Sequence, residues 1–205
     1  FHAQQWGTFA ADVDKGVFIA CLQLGNQEPP HLLHVYNTHL QSTLSYHQTR
    51  QKQLSQLRSF IERALKTEKN NNPSLKLSTL LLGDFNVVGD TGGEYKQMMS
   101  LLGYPIDLYR ILNPNDDGFT WNSKENILLQ YNDRNDHDLE RLDYIFTFNC
   151  IPSADDHCQA EALYPLRYKS CDLFKPKAAN IGDIPGECDL SDHYGVEAFF
   201  LLTRV

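Results

Sequence analysis

Positive charge is in short supply: the 205 residues include 18 lysines and arginines against 26 aspartates and glutamates, a formal net charge of −8. A protein that grips nucleic acid through a broad basic face needs clustered Lys and Arg for its phosphate contacts, and the basic residues here do not cluster. The same balance leaves a metal-assisted phosphate enzyme open, because a bound divalent cation reverses the local field of an acidic site. Long apolar runs are missing as well. None reaches the ~20 residues that a membrane-spanning helix needs, and the opening Phe1 to Trp6 is neither basic nor followed by a signal-like apolar stretch. Cysteine is sparse. Cys21, Cys150, Cys158, Cys171 and Cys188 show no C-x-x-C spacing, which excludes a sequence-evident zinc site. Four of the five fall between Cys150 and Cys188, where disulfides would suit an exported protein and separate buried thiols a cytosolic one. Both readings stay open.

What is present is enough for one core. A chain of 205 residues with 41% hydrophobic content predicts one globular domain over residues 1–205 and is too short for two ordinary ones. It does not begin with Met, and Asp14 to Ile19 enters a strand almost at once, so we expect the remainder of a longer or processed polypeptide. Leu54, Leu57, Ile61, Ala64 and Leu65 share one helical face, with Ser45 and Gln48 spaced as a capping box before them. The polar loop Lys69 to Pro73 follows. Leu77 to Leu82 then reads as a buried strand that stops at Gly83-Asp84, and a second helix is predicted from Glu94 to Leu102, capped by Thr91 and stopped at Gly103. Further strands are predicted at Val17 to Leu24, His31 to Thr38, Leu142 to Phe148 and Gly195 to Thr203. They are apolar on both faces, as in a sheet covered on each side, which points to a layered α/β domain. Asn113 to Glu140 and Asn149 to Leu190 read as loops, the second with short strands near Ala162 to Tyr168. Loops this long are uncommon unless they bind something.

Polar clusters stand at four strand ends. One strand runs out into Asn37-Thr38-His39-Leu40-Gln41 and another into Gly83-Asp84-Phe85-Asn86; Arg141-Leu142-Asp143 and Ser191-Asp192-His193 each open a strand. If exit and entry strands run antiparallel, all four lie on one edge of the sheet. Singly, each has an ordinary explanation: His39 as a strand-end cap, Asp84 and Asn86 as a turn, Asp143 paired with Arg141, Asp192 accepting backbone N–H groups. Together they are harder to set aside, because hydrolysing a phosphodiester needs a base for the attacking water, an acid for the leaving alkoxide, donors for the nonbridging oxygens and usually a metal. The candidate ligands are hard oxygens, so Mg²⁺ is the expected ion, with other divalent cations open.

In this order, Asn37-Thr38-His39-Leu40, Gly83-Asp84-Phe85-Asn86, Arg141-Leu142-Asp143-Tyr144 and Ser191-Asp192-His193 resemble the endonuclease/exonuclease/phosphatase superfamily. Lys15-Gly16-Val17, Gln41, the Arg50 to Phe60 helix and Phe119-Thr120-Trp121-Asn122 look like its neutral sphingomyelinase branch. The resemblance implies a four-layer α/β/β/α sandwich, of which this chain supplies mainly the C-terminal sheet and its helices. It implies His39 as general acid on the scissile phosphate, Asp84 to orient or activate water, and Asn86 on the phosphate. It further implies His193 as general base with Asp143 fixing its tautomer, Asp192 toward the metal, and Asn37 and Arg141 on the substrate. The family's early strands also contribute an Asn and a metal-binding Glu, and Glu28 and Glu62 do not stand in matching contexts. The expected partner is therefore the missing N-terminal segment of the same fold.

The favoured substrate on this reading is sphingomyelin or a related phospholipid, cleaved as a phospholipase C would cleave it. Residues 150–188, with Leu163, Tyr164, Leu166, Tyr168 and Phe174, are expected to touch the membrane surface. A nuclease of the same superfamily and a non-catalytic binding module that keeps the fold are the alternatives; the unclustered Lys and Arg speak against nucleic acid, and the four acid/base residues speak against decay. The lipid substrate, the cysteine cluster and the acidic balance favour secretion over the cytosol.

Overall fold

The computed structural model describes residues 3–9, 15–26, 28–89, 93–132, 137–152, 163, 166–179 and 186–201, the first of these segments by its backbone alone. Its strands are β1 (Ala3–Phe9), β2 (Lys15–Gln23), β3 (His31–His39), β4 (Lys76–Asp84), β5 (Ile106–Asp107), β6 (Trp121–Asn122), β7 (Leu139–Glu140), β8 (Asp143–Thr147), β9 (Arg167–Phe174), β10 (Lys177–Ala179), β11 (Glu187–Asp189) and β12 (Gly195–Leu201). The helices are α1 (His47–Asn71), α2 (Gly93–Leu101), α3 (Leu108–Leu112) and α4 (Ile127–Asn132).

Six strands form the main sheet in the order β1-β2-β3-β4-β8-β5. Only β3 and β4 run parallel, as their connection through α1 requires. The two-residue side-chain period sorts the sheet into two faces. Tyr36, Leu77, Leu81, Tyr144 and Phe146 look toward Leu54, Leu57, Ile61 and Leu65 of α1 and Met98 of α2. Leu80 and Ile145, with Leu33, Val35 and Leu82, look the other way, toward Cys171, Leu173, Val196, Ala198 and Phe200 of the antiparallel β9–β12 pair. Helices, a six-stranded sheet and a second, two-stranded sheet are thus stacked in that order. This is the α/β sandwich expected, with the described residues supplying the six-stranded sheet, its helices and the smaller β9–β12 sheet.

Several boundaries differ from expectation for identifiable reasons. Helix α1 starts at His47 with Tyr46 at the cap and no side-chain cap bond, because Ser45 lies in a preceding 3-10 turn with its hydroxyl on that of Thr43. Helix α2 ends at Leu101, one residue short of expectation, and Gly103 stands in the turn that follows with φ +80°; Thr91 lies outside the described residues. Strand β9 is longer than the short strands anticipated near Ala162 to Tyr168; its exposed Arg167, Lys169 and Asp172 hide an alternating pattern. Cys150 is disulfide-bonded, while Cys21, Cys171 and Cys188 are free.

Leu163 is 4% exposed in the core beside α1 and α2, and Leu166 and Tyr168 pack against the cluster under β9 and β12. Leu163 is therefore a core residue, which corrects its expected place on a membrane-facing loop, while Leu166 and Tyr168 are partly buried; Tyr164 lies outside the described residues. Arg141 is likewise internal. Only 2% exposed, it donates from Nη1 to Asp107 Oδ2 at 2.8 Å, and its guanidinium lies 4.6 Å from the centre of the Tyr144 ring. Asp107 also accepts from the Tyr95 hydroxyl at 2.9 Å and caps α3 through the Arg110 amide at 3.1 Å. A side chain so enclosed does not reach a substrate, so Arg141 leaves the set of expected substrate contacts.

Removing one partner of a buried ion pair strands the other without compensation. Asp107→Ala is therefore expected to lower unfolding stability by about 3–5 kcal/mol in urea titration; a loss under ~1 kcal/mol would mean that the pair contributes no more than an exposed one.

Candidate active site

Strand register builds the site. His39 stands opposite Asp84 across the parallel β3–β4 pair, and Asp84 stands opposite Asp143 across the antiparallel β4–β8 pair. Parallel strands that exit together and an antiparallel strand that enters beside them put all three side chains in one row on one face. It is the face that carries Leu33, Val35, Leu80, Leu82 and Ile145, so the apolar rows end in a polar one at the sheet's edge. Gly83 permits the close approach. Its φ is +135°, and a Cβ there would lie 1.8 Å from the Thr38 carbonyl oxygen. The ladder continues past the strand ends, with Leu40 N donating to Asp84 O and Phe85 N to Leu142 O, each at 2.9 Å.

His193 arrives from the second sheet. It precedes β12, forms an isolated bridge with Trp121, and its Nδ1 lies 2.8 Å from Asp143 Oδ2. The Trp121 ring meets the imidazole edge-on at 5.1 Å. With Nδ1–H donated to the carboxylate, the Nε2 lone pair is left free to take a proton. His39, well exposed, places Nε2 3.4 Å from Asp84 Oδ2. Asn86, at φ +51°, donates its backbone N–H to Asp84 Oδ1 at 2.8 Å. Its carboxamide nitrogen donates to Asp84 Oδ2 and to Leu40 O, both at 3.1 Å. Both of its amide hydrogens are thus engaged within the protein, and Asn86 here orients Asp84. The turn reading of this motif is realised.

Asp84, Asp143 and His193 offer ligand atoms that all lie within 4.8 Å of one another. Burial, and then the charge of Asp143, push the Asp84 carboxyl above its ordinary range, against the opposing Asn86 amide and the two histidines. Burial pulls His193 down, but the hydrogen bond and charge of Asp143, with Asp84 and Asp192 behind it, outweigh that and leave it raised. A buried carboxyl, Asp84, held up by the charge of the neighbouring Asp143 fits a hard divalent cation, which would relieve the repulsion. Asp192 is exposed, with Ser191 Oγ 3.3 Å from its Oδ1, and stands outside this three-residue cluster. Asn37 is exposed on β3 on the same face as His39, opposite Leu82. Glu62 is occupied with Lys66 on α1. Two buried residues that carried no sequence signal of a role hold the site's edges: Asp107 anchors Arg141, and Asn126 donates to the carbonyls of Ser191 and Asp192 at 2.9 and 3.3 Å.

The fold and this row of side chains define the class: the chain has the endonuclease/exonuclease/phosphatase fold. Among solved structures it is similar to beta toxin from Staphylococcus aureus, with 25% identity, a TM-score of 0.63, and coverage of 91% of this chain and 57% of that one. A second beta-toxin structure, a variant at the same identity with a TM-score of 0.60, contains bound magnesium ions. Sphingomyelinase C from Streptomyces griseocarneus shares 22% identity and a TM-score of 0.59 over 90% of this chain and 57% of its own. TDP2 from D. rerio, complexed with single strand DNA product, shares 19% identity and a TM-score of 0.63 over 98% and 68%. The chain therefore spans little more than half the length of the sphingomyelinase-type structures. An uncharacterized protein from Dictyostelium discoideum is 28% identical over 111 residues, 54% of this chain and 9% of that protein. No family model matches.

A raised histidine pKa gives stability that is fully present below the unfolded value of about 6.5 and is lost as pH rises through the folded value. NMR titration of metal-free protein is expected to place the His193 midpoint above that of an ordinary histidine and to drop it in Asp143→Asn. An unchanged midpoint in the variant would dissolve the pairing.

Proposed function

We propose that the protein is a metal-dependent phosphodiester hydrolase acting on sphingomyelin or a related phospholipid in the manner of a phospholipase C. The observation that carries the reading is the 2.8 Å His193–Asp143 pair at the end of the row His39–Asp84–Asp143. His193 Nε2 removes a proton from water as the water attacks phosphorus, and Asp143 holds the tautomer and stabilises the imidazolium that forms. Asp84, oriented by Asn86, positions that water. His39 is well exposed and delivers a proton to the departing alkoxide. Asn37, exposed on the same face, serves a nonbridging oxygen.

Asp84 and Asp143, with Asp192 beside them, would hold Mg²⁺, which when bound neutralises charge on the phosphoryl oxygens. The magnesium in the beta-toxin variant supports that choice of ion. In this reading the remaining metal carboxylate comes from an N-terminal segment of the same fold. The disulfide at Cys150 supports a secreted protein over a cytoplasmic one. Action on nucleic acid is the second reading, favoured by the similarity to TDP2.

The direct test offers the full-length protein, with Mg²⁺ and then with chelator, sphingomyelin, a phosphoinositide and DNA. Chelator-sensitive release of phosphocholine is expected, and His193→Ala is expected to lower it by at least ~100-fold without loss of folding. Turnover of DNA alone would replace the lipid by the nuclease reading, and near-normal turnover in the variant would remove His193 as base.

Contact with the lipid surface is placed on the exposed apolar side chains Phe174, within residues 150–188, and Leu190, three residues before His193. No helix among the described residues is long and apolar enough to cross a membrane. Changing Phe174 and Leu190 together to Ser is expected to reduce hydrolysis of vesicle-borne lipid while sparing a soluble phosphodiester. Equal loss on both substrates would assign these residues to folding, and no loss would remove them from the interface.

A further inference from the structure

The Asp143–His193 contact crosses between sheets. Asp143 opens β8 in the six-stranded sheet, whereas His193 leads into β12, which pairs with β9 in a separate sheet. Among the described residues no ladder joins β8 to β12, so neither sheet by itself fixes the distance between the two side chains. A position good to a fraction of an ångström, which a general base requires, has to come from another element.

We infer that Thr120 is the positioning residue that sets this pair. Its Oγ1 accepts the backbone N–H of Leu142 at 3.0 Å and that of Asp143 at 3.2 Å, while its own carbonyl accepts the Tyr194 N–H at 2.7 Å. One residue therefore holds the first residue of β8 through its side chain and the residue after His193 through its backbone. The side chain is fully buried at 0% exposure, so its geometry is not shared with solvent. Its neighbours extend the same strap. Trp121 bridges His193 and packs edge-on against the imidazole, and the buried Asn126 holds the carbonyls of Ser191 and Asp192 on the other side of the histidine. Strand β5 pairs with β8 only at Thr147 and Phe146, so the Asp143 end of that strand relies on Thr120 for these amide contacts. A hydroxyl at this position is required because valine, of the same shape, offers no acceptor and would leave two buried amides unsatisfied.

The kinetic consequence rests on the hydrolase reading; the structural one does not, and the experiment separates them. The Nδ1 proton of His193, held against Asp143 at 2.8 Å, is expected to give a far-downfield proton resonance, read at low temperature without substrate or metal. Thr120→Val is expected to move that resonance upfield or broaden it away, and Thr120→Ser, which keeps the hydroxyl, to restore it. In the assay, kcat is expected to fall ~10–100-fold in the valine variant with KM within about twofold, and to recover in the serine variant. If Thr120→Val loses its cooperative thermal transition, Thr120→Ala is read in its place with the same outcomes. A downfield resonance unmoved by loss of the hydroxyl, or not restored by serine, overturns the inference. A wild-type protein that shows the resonance and its loss in the valine variant, yet turns over no phosphodiester, overturns the hydrolase reading and leaves the positioning role of Thr120 standing.

Discussion

Everything at the site depends on the pairing register of three strands. Because β3 and β4 are parallel and β8 runs against them, two strand exits and one strand entry meet on the same edge, and His39, Asp84 and Asp143 fall side by side. Side chains alternate faces with a period of two, so slipping β4 by one residue would turn Asp84 toward the core beside α1 and carry Leu81 to the opposite face. The apolar rows that fix the register and the polar row at their end are therefore parts of one pattern. Gly83 is where the two demands meet: it keeps β4 tight against Thr38 up to the residue that bears the carboxylate.

Crowding carboxylates in this way has a cost that shapes what surrounds them. Burial and then the charge of Asp143 make Asp84 resist ionisation, and the neighbouring groups answer with a hydrogen bond from Asn86 and positive charge from His193 and His39. A divalent cation would complete that compensation. Beneath the row, the buried Arg141–Asp107 pair, stacked on Tyr144 and joined by Tyr95, stiffens the chain two residues before Asp143. The site is thus a junction between two sheets, with an internal ion pair on one side and the Thr120–Asn126 strap on the other.

Much of this was legible in the sequence because the motifs sit where hydrophobic periodicity ends. The core of α1 and strands β3, β4 and β8 follow from apolar spacing, and the endings Asn37-Thr38-His39 and Gly83-Asp84-Phe85-Asn86 are visible as abrupt changes in chemistry. Arg141 was expected on the substrate from the resemblance alone, while its partner in the structure, Asp107, is 34 residues away and has no local signature. Leu163 was misassigned because an apolar residue in a long loop looks the same whether it meets lipid or core. Thr120 stood inside a motif noticed only for its resemblance; its role became visible once the fold brought it to Leu142 and Tyr194, 22 and 74 residues away.

The central claim is that the row and its histidine activate water against phosphorus. Hydrolysis of the preferred phosphodiester by the full-length protein in ¹⁸O-labelled water tests it most directly, with mass analysis of both products. The account predicts one solvent oxygen in the phosphomonoester and none in the released alcohol. Label in the alcohol would place the attack on carbon and contradict it.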